Sequence, residues 1–152
     1  MHPAPSVILF TSLSGLGFGM MFWLGIGHPM VSGFYAFAYC FVAYGLAVGG
    51  LLASTLHLGS PRRAVHAFSQ WRTSWLSREG VAAVLTLLVM APFAIWRIFF
   101  DTDLVALGWL AGVLALVTVF TTSKIYNQLR TVPRWNMPTI PPLFLTYALA
   151  GG

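Results

Sequence analysis

The stretch Ser54–Gly80 reads STLHLGSPRRAVHAFSQWRTSWLSREG and lies between two long apolar runs. It holds four of the chain's eight Lys/Arg residues, one of its three acids and two of its four His, in a chain that is 58% hydrophobic and 7% charged. A soluble domain carries about a quarter charged residues. The runs on either side are long enough to cross a bilayer, which takes about 20 apolar residues as a helix. The polar stretch therefore lies at one membrane face, and the ionisable chemistry of the chain is concentrated there. The fold class is all-α, a polytopic transmembrane helix bundle. A transmembrane barrel needs alternating polar positions, and these runs do not alternate.

Working outward, the spacing predicts span 1 over about residues 5–27, with Ser14, Gly15, Gly17 and Gly19 as small residues that permit close helix approach. Span 2 is predicted over about residues 34–56, and Gly59 and Pro61 stop it. Trp71 and Trp75 mark an interfacial segment in the loop 58–78. Span 3 is predicted over about 79–100, followed by a tight turn at Asp101 and Asp103, and span 4 over about 104–123. In a second polar loop, Lys124–Pro142, the prolines at 133, 138, 141 and 142 exclude a regular helix. A fifth apolar run, PLFLTYALAGG, follows with eleven residues. That is four complete spans and the start of a fifth.

The N-terminus has no basic n-region, so the first run reads as a retained span rather than a cleaved signal. The two polar loops fall on the same side as the N-terminus and contain seven of the eight Lys/Arg residues; only Arg97 lies elsewhere. The positive-inside rule assigns that side to the cytoplasm. The net charge of +5 is therefore a topology signal and not a nucleic-acid footprint. The single Cys, Cys40, forms no internal disulfide and ligates no iron–sulfur cluster or structural zinc alone. Electrons passing through this protein would need metal centres on other chains.

Within this pattern His57 closes span 2 and Glu79 opens span 3, 22 positions later. A hairpin returns both to one face, and a His with an intramembrane carboxylate makes a candidate proton relay. The competing readings are an acid that favours the helix dipole and an interfacial His bonded to a backbone carbonyl. Tyr126 and Asn127, just past span 4, share that face. Arg62, Arg63, Arg72 and Arg78 suit lipid phosphates and topology, or a partner or ligand oxygen. His2, His28 and His66 do not sit inside any span, which argues against a bis-His haem. Paired broken helices of the transporter kind are not evident.

Three motifs occur in order: HLGSPRRA at 57–64, LSRE at 76–79 and YNQLRTVPRW at 126–135, after an N-terminal HPAPSVILFTSLSGLGFG. The chain thereby resembles, along its whole length, the membrane anchor subunit family of dimethyl sulfoxide reductase (DmsC). The resemblance implies an eight-helix anchor of which residues 1–152 are one integral-membrane domain, the N-terminal portion of a longer protein. It implies a bacterial inner-membrane complex in which the anchor oxidises menaquinol and an iron–sulfur subunit passes electrons to a molybdopterin catalytic subunit, in anaerobic respiration. The quinol-site residues it implies are His57, Arg63, Glu79 and Tyr126, with His57 and Glu79 as the proton-handling pair. Arg62, Arg72, Arg78, Arg130 and Arg134 become candidates for partner docking. The alternatives are a purely structural anchor and a b-type cytochrome subunit.

Overall fold

The computed structural model describes residues 5–55, 70–100, 104–128 and 136–152. Within them the chain forms five helices and no strand: α1 (Pro5–Gly25), α2 (Gly33–Thr55), α3 (Trp75–Phe100), α4 (Val105–Asn127) and α5 (Ile140–Gly151). The first four carry apolar segments of 19, 22, 26 and 23 residues, each long enough to cross a membrane. At 1.5 Å per residue these reach about 30–40 Å, which matches a hydrocarbon core of roughly 30 Å. The shorter α5 is apolar throughout.

Three boundaries differ from the sequence reading. Helix α3 starts at Trp75 rather than Glu79, because Trp75, Leu76, Ser77 and Arg78 already form its first turn. Helix α4 continues to Asn127, so Tyr126 sits in its last turn rather than past the span. Helix α5 also begins at Ile140 and takes Pro141 and Pro142 into its first turn. No intrahelical donor is needed there, so proline is tolerated.

Helix α1 is the hub and packs against α2, α4 and α5; α3 closes the bundle against α4 and α2. The buried core is a mixture of bulky residues (Phe18, Met21, Leu24, Met90, Phe93) and small ones (Ala43, Ala47, Ala111, Ala115). Large apolar side groups such as those of Phe34, Phe37, Phe41, Leu88 and Phe99 point outward. Apolar residues on both inner and outer faces are what lipid requires. With no hydrophobic drive between helices in lipid, close packing must hold them together. Gly17 of α1 meets the backbone of Ala43 and Ala47 on α2, Gly19 meets the backbone of Ala148 on α5, and Gly25 meets the backbone of Gly108 on α4. Three small positions on one helix thus admit three neighbours.

Arg97, the basic residue on the opposite side from the polar loops, is 4% exposed. Its Nε donates to the Val31 carbonyl at 2.8 Å and its Nη2 to the Pro29 carbonyl at 3.2 Å. The guanidinium ties the α1–α2 turn to the end of α3, so its location reflects this bonding and not topology. Removing it breaks both bonds, and a hydrogen bond to a charged group contributes about 1.5–3 kcal/mol. Arg97→Leu is expected to lower the thermal unfolding midpoint of the detergent-solubilised protein. Arg97→Lys recovers only part of the loss, because an ammonium lacks the planar fork.

Candidate functional site

Facing seams on α3 and α4 build the site. On α3 the residues Glu79, Ala83, Thr86, Met90, Phe93 and Arg97 recur at steps of four and three and are all buried. On α4 the buried residues Gly108, Ala111, Ala115, Thr118 and Thr122 recur likewise. Residues at these steps share one helix face, and the two helices run antiparallel. Phe93 therefore lies opposite Gly108, Thr86 opposite Thr118 and Glu79 opposite Thr122. The seam is apolar towards Arg97 and hydroxyl-lined towards Glu79.

Glu79 is 3% exposed. It occupies the second turn of α3, since the first turn holds no acid, and this weakens the helix-dipole reading. The Thr122 hydroxyl donates to Glu79 Oε1 at 2.6 Å. Thr122 Oγ1 also lies 3.0 Å from the Thr118 carbonyl oxygen, which accepts the Thr121 hydroxyl at 2.8 Å. One layer deeper, the hydroxyls of Thr86 and Thr118 meet at 3.0 Å, and Thr86 donates to the Ala82 carbonyl at 2.8 Å. A carboxyl this deep is costly unless it is paired or hydrogen-bonded. The hydroxyl lining supplies that compensation.

Tyr126 lies one turn beyond Thr122 on the same face of α4. Its ring stacks on Phe144 of α5 with centroids 5.6 Å apart. Phe144 in turn lines a cleft of about 310 Å³ with Thr11, Ser12, Leu143 and Tyr147. Glu79, Tyr126 and this mostly apolar cleft therefore form a continuous series at one end of the bundle.

The Tyr44 hydroxyl donates to the Leu87 carbonyl at 2.9 Å and registers α2 against α3. From that bond, Thr55 and Glu79 lie in the same direction along the bundle, about three and two turns away. His57 follows α2 by two residues but lies outside the described residues, as do Arg62, Arg63, Arg130 and Arg134. Of the other basic candidates, Arg72 is exposed with its guanidinium 5.6 Å from the Trp71 ring centroid. Arg78 donates to the carbonyls of Trp71 and Arg72 at 3.0 and 2.7 Å and covers the Trp75 ring. Arg78 is thus engaged in shaping the turn that leads into α3.

The sequence reading missed Thr86, Thr118 and Thr122. For Thr118 and Thr122 the signal was TVFTTS at 118–123, a hydroxyl cluster inside an apolar span at helical spacing from Tyr126. Among the described residues no group of three or more His, Cys, Asp or Glu converges as a metal site.

These features define a multi-pass helical membrane protein with a buried, hydroxyl-bonded carboxyl at the end of the bundle that carries its polar loops. The match over residues 2–152 is to the DMSO reductase anchor subunit (DmsC) family, and the protein belongs to it. It is 32% identical to the C subunit of sulfite dehydrogenase from Allochromatium vinosum, over 174 aligned positions covering 100% of the present sequence and 53% of that protein. It is 28% identical to the C component of anaerobic dimethyl sulfoxide reductase from Escherichia coli, over 114 positions covering 68% of the present sequence and 37% of that one. The protein thus spans about half the length of the first relative and just over a third of the second. No solved structure matches it.

Proposed function

We propose that this chain forms the quinol-handling end of the anchor subunit of a molybdopterin oxidoreductase complex in the bacterial inner membrane. The observation that supports it most is the buried Glu79 carboxyl, bonded to Thr122 and flanked by Tyr126. Menaquinol oxidation releases two electrons and two protons. In this reading Glu79 and His57 accept the protons. Arg63 and Tyr126 hydrogen-bond the ring oxygens. The electrons leave to an iron–sulfur subunit and then to the molybdopterin subunit, both docked on the basic cytoplasmic loops. With Arg78 held locally, Arg72 is the described residue best placed to meet that partner. The apolar cleft by Phe144 offers an approach from lipid towards Tyr126.

The relative from Allochromatium vinosum favours a second direction. A sulfite dehydrogenase withdraws electrons from its substrate, so a coupled quinone would be reduced and would take up two protons. The same residues serve either direction, because Glu79 can return a proton as readily as it takes one.

The test is binding of a quinol analogue to membranes carrying the full-length anchor with its partners, wild type against His57→Ala. Loss of the His57 hydrogen bond is expected to weaken binding about tenfold or more, with the complex intact. Unchanged binding would move the site away from this end and return the protein to a purely structural anchor.

A further inference from the structure

We propose that Thr122 is the positioning residue of the Glu79 carboxyl and serves both of its protonation states. The inference rests on the quinol reading of Glu79 and adds a residue to it. Its basis is an excess of acceptors over protons. Thr122 has one hydroxyl proton, yet its Oγ1 lies 2.6 Å from Glu79 Oε1 and 3.0 Å from the Thr118 carbonyl oxygen. One proton cannot satisfy both at full strength.

The two contacts therefore describe two arrangements. With Glu79 ionised, the Thr122 hydroxyl donates to the carboxylate, the shorter and charge-assisted bond. The Thr118 carbonyl does not go unpaired, since it accepts the Thr121 hydroxyl at 2.8 Å. With Glu79 protonated, its O–H donates to Thr122 Oγ1, and the Thr122 proton turns to the Thr118 carbonyl. A hydroxyl is both donor and acceptor, so a rotation of one O–H bond follows the change without moving a heavy atom. Glu79 and Thr122 are 3% and 4% exposed, so water is a poor substitute for this partner. A carboxyl that must gain and lose a proton in each turnover needs a partner for both states, and no purely donating or purely accepting group provides one.

The test uses the assembled full-length complex with Thr122→Val, which keeps the shape and removes the hydroxyl, and Thr122→Ser, which keeps the hydroxyl. Quinol-dependent turnover is expected to fall about ten- to a hundredfold in Thr122→Val, the scale of a lost hydrogen bond to a charged group. It should stay close to wild type in Thr122→Ser. Membrane-retained turnover with an artificial donor acting directly on the molybdopterin subunit reports assembly. The second readout is the infrared C=O stretch of protonated Glu79, assigned by its loss in Glu79→Gln. It should move to higher frequency in Thr122→Val and stay in place in Thr122→Ser. Normal quinol turnover in Thr122→Val, an unmoved band, or equal loss in both variants overturns the proposal. If Glu79→Gln itself turns over normally, the quinol reading fails, and the infrared comparison alone decides whether Thr122 serves Glu79.

Discussion

Glu79→Gln is expected to abolish quinol-dependent turnover while the complex still assembles and still accepts electrons from an artificial donor. A positioned general base contributes about 10²–10⁴-fold, and an amide cannot take a proton at any working pH. Glutamine is the informative replacement. It has nearly the same shape, its amide oxygen still accepts the Thr122 hydroxyl, and it removes the cost of burying a charge 3% exposed. Stability should therefore hold or rise while turnover falls, and a simple packing role does not separate the two. A tenfold loss or less would place the main acceptor elsewhere, with His57 the first alternative. Normal turnover would leave Glu79 as a hydrogen-bonded structural acid and the protein as scaffold.

Hydropathy marks where a sequence becomes apolar, and helices begin where backbone bonding begins. The four spans were legible for the first reason, and two of their ends were misplaced for the second. Trp75, Ser77 and Arg78 read as interfacial loop, yet they form the first turn of α3. The four-residue shift carries Glu79 into the second turn, where it points at α4. Its charge made it stand out in the sequence, since it is one of three acids in the protein. Its partner was not, because a Thr within an apolar span reads as neutral filler. Only the antiparallel register of α3 on α4 singles out Thr122 from Thr118, Thr121 and Ser123. Tyr126 was placed on the correct face, but its stacking on Phe144 required knowing where α5 packs. Arg97 shows the opposite limit: a charge counted for topology proved to be bonded to backbone carbonyls of a neighbouring turn.

Gly17→Leu is expected to prevent the folded anchor from accumulating, whereas Gly45→Leu should not. Both glycines lie within spans of the same helix pair, and leucine favours a helix over glycine by about 0.8–1 kcal/mol in isolation. Propensity alone therefore predicts that both changes help. Packing separates them. A Cβ at Gly17 would lie 2.5 Å from the Ala47 nitrogen, 2.7 Å from the Ala43 oxygen and 2.9 Å from the Ala47 Cα. All three are backbone atoms of α2, so no rotamer change relieves the clash and α1 must withdraw. Since α1 also seats α4 and α5 through Gly25 and Gly19, its displacement loosens every interface of the hub. Overpacking in a core costs about 1–3 kcal/mol, and more where backbone must shift; that is a large part of the typical 5–15 kcal/mol of stability. At Gly45, among the described residues, nothing comes within 4 Å of the added carbon. The measurement is the amount of each variant recovered by size-exclusion chromatography in mild detergent. Normal recovery of Gly17→Leu would refute the α1–α2 contact. Loss of Gly45→Leu would instead show that the outer face of α2 is covered in the assembled complex, at a position with no room for added atoms.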